Sequence, residues 1–173
     1  MERAGPFTAM SGAGQVIVGG IALAAATAAA QASTASVWLA TWLGAAVLAV
    51  AVAGWTFSRK AARLQVPVWS GPTRRFALSF CPGLVAGAIL TAVLQGTVVA
   101  DRLPGVWLLV YGASVMTGGA ASIRIVPIMG GCFMATGVAA LTAPAVWGDW
   151  FMAFGFGVLH IVFGIVIARR HGG

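Results

Sequence analysis

The stretch from Asp149 to Arg170 constrains the fold of this chain more than any other part of the sequence. Between Trp150 and Arg169 lies a run of about twenty apolar residues in which His160 is the single ionisable side chain. An acid and a tryptophan precede the run, and two arginines end it. A helix that crosses the ~30 Å hydrocarbon core of a bilayer has this length and these flanking residues. The stretch is therefore predicted to be a transmembrane helix.

The composition extends this prediction to the whole chain. Hydrophobic residues make up 60% of the sequence and charged residues 8%, whereas about 25% of the residues of a soluble domain are charged. With so few charges, the folded surface cannot face water on all sides. The formal net charge of +7 is explained by basic cytoplasmic loops near anionic headgroups, so nucleic acid is not expected as a partner.

Six apolar segments predict an all-α membrane protein with six transmembrane helices in a single domain of residues 1–173. The helices are predicted at residues 12–30, 37–57, 78–99, 105–122, 126–143 and 150–168. Short polar turns separate most of them, so we interpret the bundle as three αα-hairpins. Residues 58–76 are predicted to be the only long loop.

The first helix has an alternative interpretation as a cleaved signal peptide, because residues 28–32 (Ala-Ala-Ala-Gln-Ala) resemble a signal-peptidase site. The lead before this helix contains Glu2 and Arg3 and is nearly neutral, whereas a signal peptide begins with a positively charged segment. We therefore expect an uncleaved helix.

Basic residues lie almost entirely on one side of the predicted topology. Nine of the ten lie on the side of the N terminus, and Arg102 alone lies on the other. The positive-inside rule then predicts that both termini are cytoplasmic. Seven of these residues are predicted to contact lipid headgroups: Arg59, Lys60, Arg63, Arg74, Arg75, Arg169 and Arg170.

Helices two, four and six each begin with an aromatic pair at positions i and i+4, and each ends in a basic residue. The pairs are Trp38 and Trp42, Trp107 and Tyr111, and Trp150 and Phe154. One interpretation is a threefold parallel internal repeat of a helical hairpin. The other is that aromatic belts and basic cytoplasmic ends occur in unrelated membrane helices.

Few side chains in the predicted helices can carry chemistry, and His160 lies nearest to the middle of the membrane. A hydrogen bond to another helix is its favoured role, and a proton relay or a haem or pigment ligand is the alternative. The predicted polar interior consists of Gln15, Gln95, Tyr111, Thr117 and His160. The sequence contains no catalytic set and no metal-binding motif, and it predicts no cofactor.

Three segments carry a resemblance to known proteins. They are Glu2 to Ala9, Gly118 to Pro127 and Gly157 to Arg170. In these segments, and across nearly all of its length, the chain resembles a group of small, uncharacterised bacterial polytopic membrane proteins. The resemblance implies a multi-pass protein of the bacterial inner membrane and implies no activity.

Two functional hypotheses follow from the sequence. The first is a non-enzymatic integral membrane protein that acts by association, as a homo-oligomer or as an accessory subunit of a larger membrane assembly. The alternative is a small transporter or channel for a neutral or hydrophobic solute, lined by the polar interior residues. Membrane lipids, further copies and other membrane subunits are the expected partners.

Overall fold

The computed structural model describes residues 11–120 and 122–171, and this part of the chain is helical without strands. Six helices follow one another, and the last consists of α-helical Gly148–Met152, a π-helical segment Ala153–Leu159 and α-helical His160–His171. The first five are α1 Gly12–Ala29, α2 Ala35–Arg63, α3 Gly71–Leu94, α4 Leu103–Gly119 and α5 Ile125–Thr142. We call residues 148–171 the last helix.

Five of the six helices are long and apolar enough to span a membrane. The exception is α4, whose 17 residues extend about 26 Å at about 1.5 Å per residue. The coarse prediction of a membrane protein built from a helical bundle is therefore confirmed for the part of the chain that the structure describes.

The predicted long loop of residues 58–76 is wrong in extent. Helix α2 continues to Arg63 and α3 begins at Gly71, so residues 64–70 connect them. Helix α2 continues because its last turns contain alanine and basic residues, which favour helices and interact well with a helix C terminus. It ends where Gln65 adopts a positive φ of 52°. Proline in the first turn of α3 suits a helix start.

Helix α3 ends earlier than predicted. It stops at Leu94, although the hydropathy pattern continues to residue 99. Gln95 leaves the helical conformation, and Gly96 has a φ of 80° that glycine adopts without steric cost. The last five residues of the predicted span therefore lie in the connection to α4.

Neighbouring helices cross at glycine residues, and these crossings define the arrangement. Gly12 lies against Ala168 and Gly14 against Thr56, so α1 is antiparallel to both the last helix and α2. Gly83 lies against Ser114 and Gly87 against Trp107, so α3 is antiparallel to α4. Pro104 lies against Gly148 and Leu108 against Gly155, so α4 and the last helix are parallel.

The packing differs from three consecutive hairpins. Helices α1 and α2 pack together, and so do α3 and α4. Helix α5, however, packs mainly against α4, and the last helix packs mainly against α1. The three-hairpin arrangement is therefore not confirmed, and the bundle has α2 and α3 at its periphery.

The internal repeat is not confirmed either, because the three aromatic pairs lie in different environments. Trp42 is buried in the core, whereas Trp150 is 77% exposed and Phe154 is also exposed. Equivalent positions in the sequence pattern therefore do not have equivalent contacts.

The backbones of α4 and α5 approach each other closely at a pair of glycines. A methyl group on Gly112 would lie 2.7 Å from the carbonyl oxygen of Gly130, and a methyl group on Gly130 would lie 2.7 Å from that of Gly112. Such contacts hold helices together in lipid, where the hydrophobic effect does not.

The antiparallel arrangement gathers the basic residues at the end of the bundle where α1 begins, which we call the basic end. Eight residues lie there: Arg59, Lys60, Arg63, Arg74, Arg75, Arg124, Arg169 and Arg170. All of these side chains except Lys60 are exposed. Asp101, Arg102 and Asp149 lie at the opposite end, where Arg102 donates to the carbonyl oxygens of Leu141 and Ala143 at 3.0 Å each.

Adjacent glycines on α1 test whether close packing stabilises the bundle. Gly19→Ala is expected to lower the free energy of unfolding by roughly 1–3 kcal/mol, because the added methyl group would lie 2.7 Å from the carbonyl oxygen of Gly157. Gly20→Ala is the matched control, because its methyl group meets no atom within 4 Å. Denaturation in mixed micelles measures both changes. Equal stabilities of the two variants would contradict the packing argument.

Candidate functional site

His160 begins the final α-helical segment, directly after the π-helical turns of Ala153–Leu159. Its side chain is 1% exposed, so the ring is enclosed by protein and does not face lipid. A buried polar side chain in a membrane helix requires partners for its donor and acceptor groups, because hydrocarbon offers none.

Both ring nitrogens of His160 have a partner. Nδ1 lies 2.9 Å from the carbonyl oxygen of Phe156, and Nε2 lies 2.7 Å from the hydroxyl oxygen of Tyr111 on α4. A carbonyl oxygen only accepts, so Nδ1–H donates to Phe156. In the neutral ring, Nε2 then accepts from the Tyr111 hydroxyl. The expectation that His160 faces another helix agrees with this contact.

The π-helical segment contributes to the site through the backbone. The backbone N–H of His160 donates to the carbonyl oxygen of Gly157, three residues earlier, instead of to that of Phe156. The Phe156 carbonyl oxygen accepts from the ring of His160 instead. Single π turns inside α-helices are often found at functional sites.

Aromatic rings surround the hydrogen-bonded pair. The ring centroids of Tyr111 and Phe133 are 4.9 Å apart, and those of Tyr111 and Phe156 are 5.1 Å apart. Phe133 meets His160 edge-on at 5.1 Å. These separations fall in the range of favourable aromatic contacts. The site is therefore an aromatic cluster from α4, α5 and the last helix that encloses one polar pair.

Further rings continue this cluster toward α2 and α3. The ring centroid of Phe80 on α3 lies 5.7 Å from that of Tyr111, and the ring centroid of Trp42 on α2 lies 6.5 Å from that of Phe156. The ring centroid of Trp38 lies 6.4 Å from that of Trp42. Nε1 of Trp38 donates to the carboxylate of Asp149 at 2.7 Å. The aromatic contacts thus connect the two peripheral helices to the centre of the bundle.

The other predicted interior residues do not join this site. Gln95 is exposed at the end of α3. Thr117 is exposed and donates to backbone carbonyls, including that of Ser79 on α3 at 3.2 Å. Gln15 is buried near the basic end, and its Oε1 has no hydrogen-bond partner among the described residues. Of the five residues, the structure brings together Tyr111 and His160.

A metal or haem iron at Nε2 of His160 would have to replace the Tyr111 hydroxyl. Among the described residues, no group of three histidine, cysteine or acidic side chains is arranged to hold a metal ion. The site is thus suited to fixing the positions of helices.

Sequence reasoning did not find Phe133, Phe156 and Phe80 as parts of the site, nor the π-helical turns. The glycines next to Phe156 could have indicated close packing at this point of the last helix, since Gly155 lets Leu108 approach it closely. Hydropathy alone does not reveal this contact, because phenylalanine facing lipid has the same index as phenylalanine in the core.

Comparison of the chain with protein-family models, with curated proteins and with solved structures gives no match.

The hydrogen bond between Tyr111 and His160 is expected to stabilise the bundle. In a double-mutant cycle with Tyr111→Phe and His160→Leu, the coupling free energy should be about 0.6–1.7 kcal/mol, the range for such bonds between membrane helices. Denaturation in mixed micelles gives the free energies of unfolding. Thr142→Val, at the exposed end of α5, combined with Tyr111→Phe is the additive control. Additivity of the first pair would show that the bond does not stabilise the bundle.

Proposed function

We propose that this chain is a non-enzymatic integral membrane protein that acts by association, as a homo-oligomer or as an accessory subunit of a larger assembly. The observation that carries the proposal is the outward face of α2. Helix α2 has 29 residues, of which only Trp42, Lys60 and Ala61 are buried. Most of its surface is therefore open to lipid or to another protein.

The outward face of α2 is a seam of mostly small side chains. Their spacing alternates between three and four residues, which keeps them on one side of a helix. The members are Val37, Ala40, Gly44, Val47, Ala51, Gly54 and Ser58, and all are exposed. At about 100° per residue the seam lies opposite Trp42 and Lys60. We call this surface the α2 seam.

Glycine usage elsewhere in the bundle supports a role for this seam. Glycine in a helix costs about 1 kcal/mol relative to alanine. Within the interiors of the described helices, glycines lie against a neighbouring helix or side chain, except Gly20, Gly44 and Gly54, which meet nothing within 4 Å. Two of the three exceptions belong to the α2 seam. If a second helix packed on the seam, these two glycines would also lie against a neighbouring helix, as the other glycines do.

A second copy of the chain is the partner that we test first. Small residues with heptad spacing favour close, left-handed pairing of membrane helices. Two copies related by a twofold axis along the membrane normal would pair their α2 seams in parallel. Another membrane subunit with a matching helix is the remaining choice within the same proposal.

The association is tested by energy transfer between copies that carry a donor or an acceptor dye, reconstituted together in liposomes. Gly44→Leu combined with Gly54→Leu should reduce the association constant by roughly tenfold, the equivalent of about 1.4 kcal/mol, because leucine prevents the backbones from approaching. The helix itself should not be weakened, since leucine favours helices more than glycine does.

Ala46→Leu is the matched control, because Ala46 is exposed on α2 but lies off the seam. Transfer no greater than for randomly mixed proteins would reject the homo-oligomer and leave an accessory subunit, which co-purification with the wild-type chain would identify. Equal loss in the control and the seam variant would show that the seam is not the interface.

The proposal includes a location in a bacterial inner membrane with both termini in the cytoplasm. It rests on the separation of eight basic residues at one end of the bundle from Asp101, Arg102 and Asp149 at the other. Positively charged residues are retained on the cytoplasmic side during insertion.

Neutralising part of the basic end is expected to weaken this orientation. Replacing Arg59, Lys60 and Arg63 together by glutamine should divide a C-terminal reporter between the two sides of the membrane. Arg102→Gln, at the opposite end, should leave the reporter cytoplasmic. If the triple variant remains wholly cytoplasmic, the other basic residues are sufficient and the end of α2 is not decisive.

A further inference from the structure

A cavity of about 490 Å³ opens at the basic end between α5 and the last helix. Its walls come from the turn before α5, from the first turn of α5 and from the end of the last helix. The lining residues are Ser122, Ile123, Arg124, Ile125, Ile128, Val166 and Arg170. Helix α5 and the final segment of the last helix contact each other little.

Two arginines line this cavity, and none of the described residues that line it is acidic. Arg124 precedes α5, and Arg170 lies in the last turn of the last helix. Among the described residues, the one ion pair joins Arg102 to Asp101 at the opposite end of the bundle. Two guanidinium groups on one cavity repel each other, and an anion bound between them would remove the repulsion.

Apolar side chains complete the cavity and continue into the membrane. Ile125, Ile128 and Val166 form its uncharged wall. On the last helix, Val162 and Val158 follow Val166 at four-residue intervals and are exposed. Residues four apart lie on one face of a helix, so the three valines form a column about 12 Å long. A column of this kind can accommodate a lipid acyl chain below the two arginines.

We propose that Arg124 and Arg170 bind the phosphate of an anionic phospholipid, with one acyl chain along Val166, Val162 and Val158. A soluble phosphate compound would use the arginines but not the valine column. This site is separate from the α2 seam and does not depend on it.

The test measures phospholipid retained by the full chain in native mass spectrometry from detergent. Wild-type protein should bind dioleoyl phosphatidylglycerol more tightly than dioleoyl phosphatidylcholine. The double variant R124Q/R170Q should bind phosphatidylglycerol about 25-fold more weakly, since each cationic residue at an anionic leaflet contributes a factor of roughly five. The control R74Q/R75Q removes the same charge from exposed residues at the same end of the bundle. It should weaken binding less than R124Q/R170Q does, because it leaves both arginines of the cavity in place.

Three results would overturn the proposal. The first is unchanged affinity in R124Q/R170Q. The second is equal loss of affinity in both double variants, which would show a diffuse charge effect. The third is full competition by equimolar glycerol phosphate, which would show that the acyl chain contributes nothing. Circular dichroism checks that each variant is folded. If R124Q/R170Q does not fold, the single variants R124Q and R170Q are each expected to bind about fivefold more weakly, and unchanged affinity in both would equally overturn the proposal.

Discussion

The bundle depends on close contact between helix backbones. In lipid, apolar side chains gain little by leaving their surroundings, so helices associate through dispersion contacts, which grow as the backbones approach. Gly112 and Gly130 provide this contact between α4 and α5, and Gly12 and Gly19 provide it between α1 and the last helix. The chain thus forms two tightly joined pairs of helices. Helices α2 and α3 pack on the outside of these pairs, which leaves their outer faces available.

The two tight pairs meet where α4 runs parallel to the last helix. At this junction Leu108 fits against Gly155, and Tyr111 donates to His160. Apolar contacts alone tolerate sliding of one helix along another, whereas a directional hydrogen bond in a dry environment is costly to leave unpaired. The Tyr111–His160 bond therefore fixes the register between the two pairs. The π-helical segment contributes to the same contact, because the carbonyl oxygen of its Phe156 accepts from the imidazole ring.

Hydropathy and charge predicted much of this structure, and the limits of the prediction have a physical cause. The apolar segments predicted the number of helices, and the arginines predicted which helix ends lie together at one end of the bundle. Hydropathy contains no information about which helices touch, so the packing of α5 on α4 and of the last helix on α1 was not foreseen. His160 was identified because an ionisable residue at that depth is rare. Its aromatic neighbours were not, because phenylalanine is common on both buried and lipid-facing surfaces. The end of α2 was predicted too early because basic residues were taken as a sign of a loop, although they also favour helices.

The charge of the basic end links the proposed association to the lipid. The two described carboxylates lie at the opposite end, where Asp149 accepts from Trp38 and Asp101 pairs with Arg102. Neither can offset eight basic residues on the other side of the membrane. A parallel pair of α2 helices would place the basic ends of two copies side by side, which opposes association through like-charge repulsion. Anionic headgroups reduce this repulsion, and an anionic lipid at Arg124 and Arg170 lowers the charge of each copy further. Association through the α2 seam should therefore be stronger in anionic membranes than in zwitterionic ones.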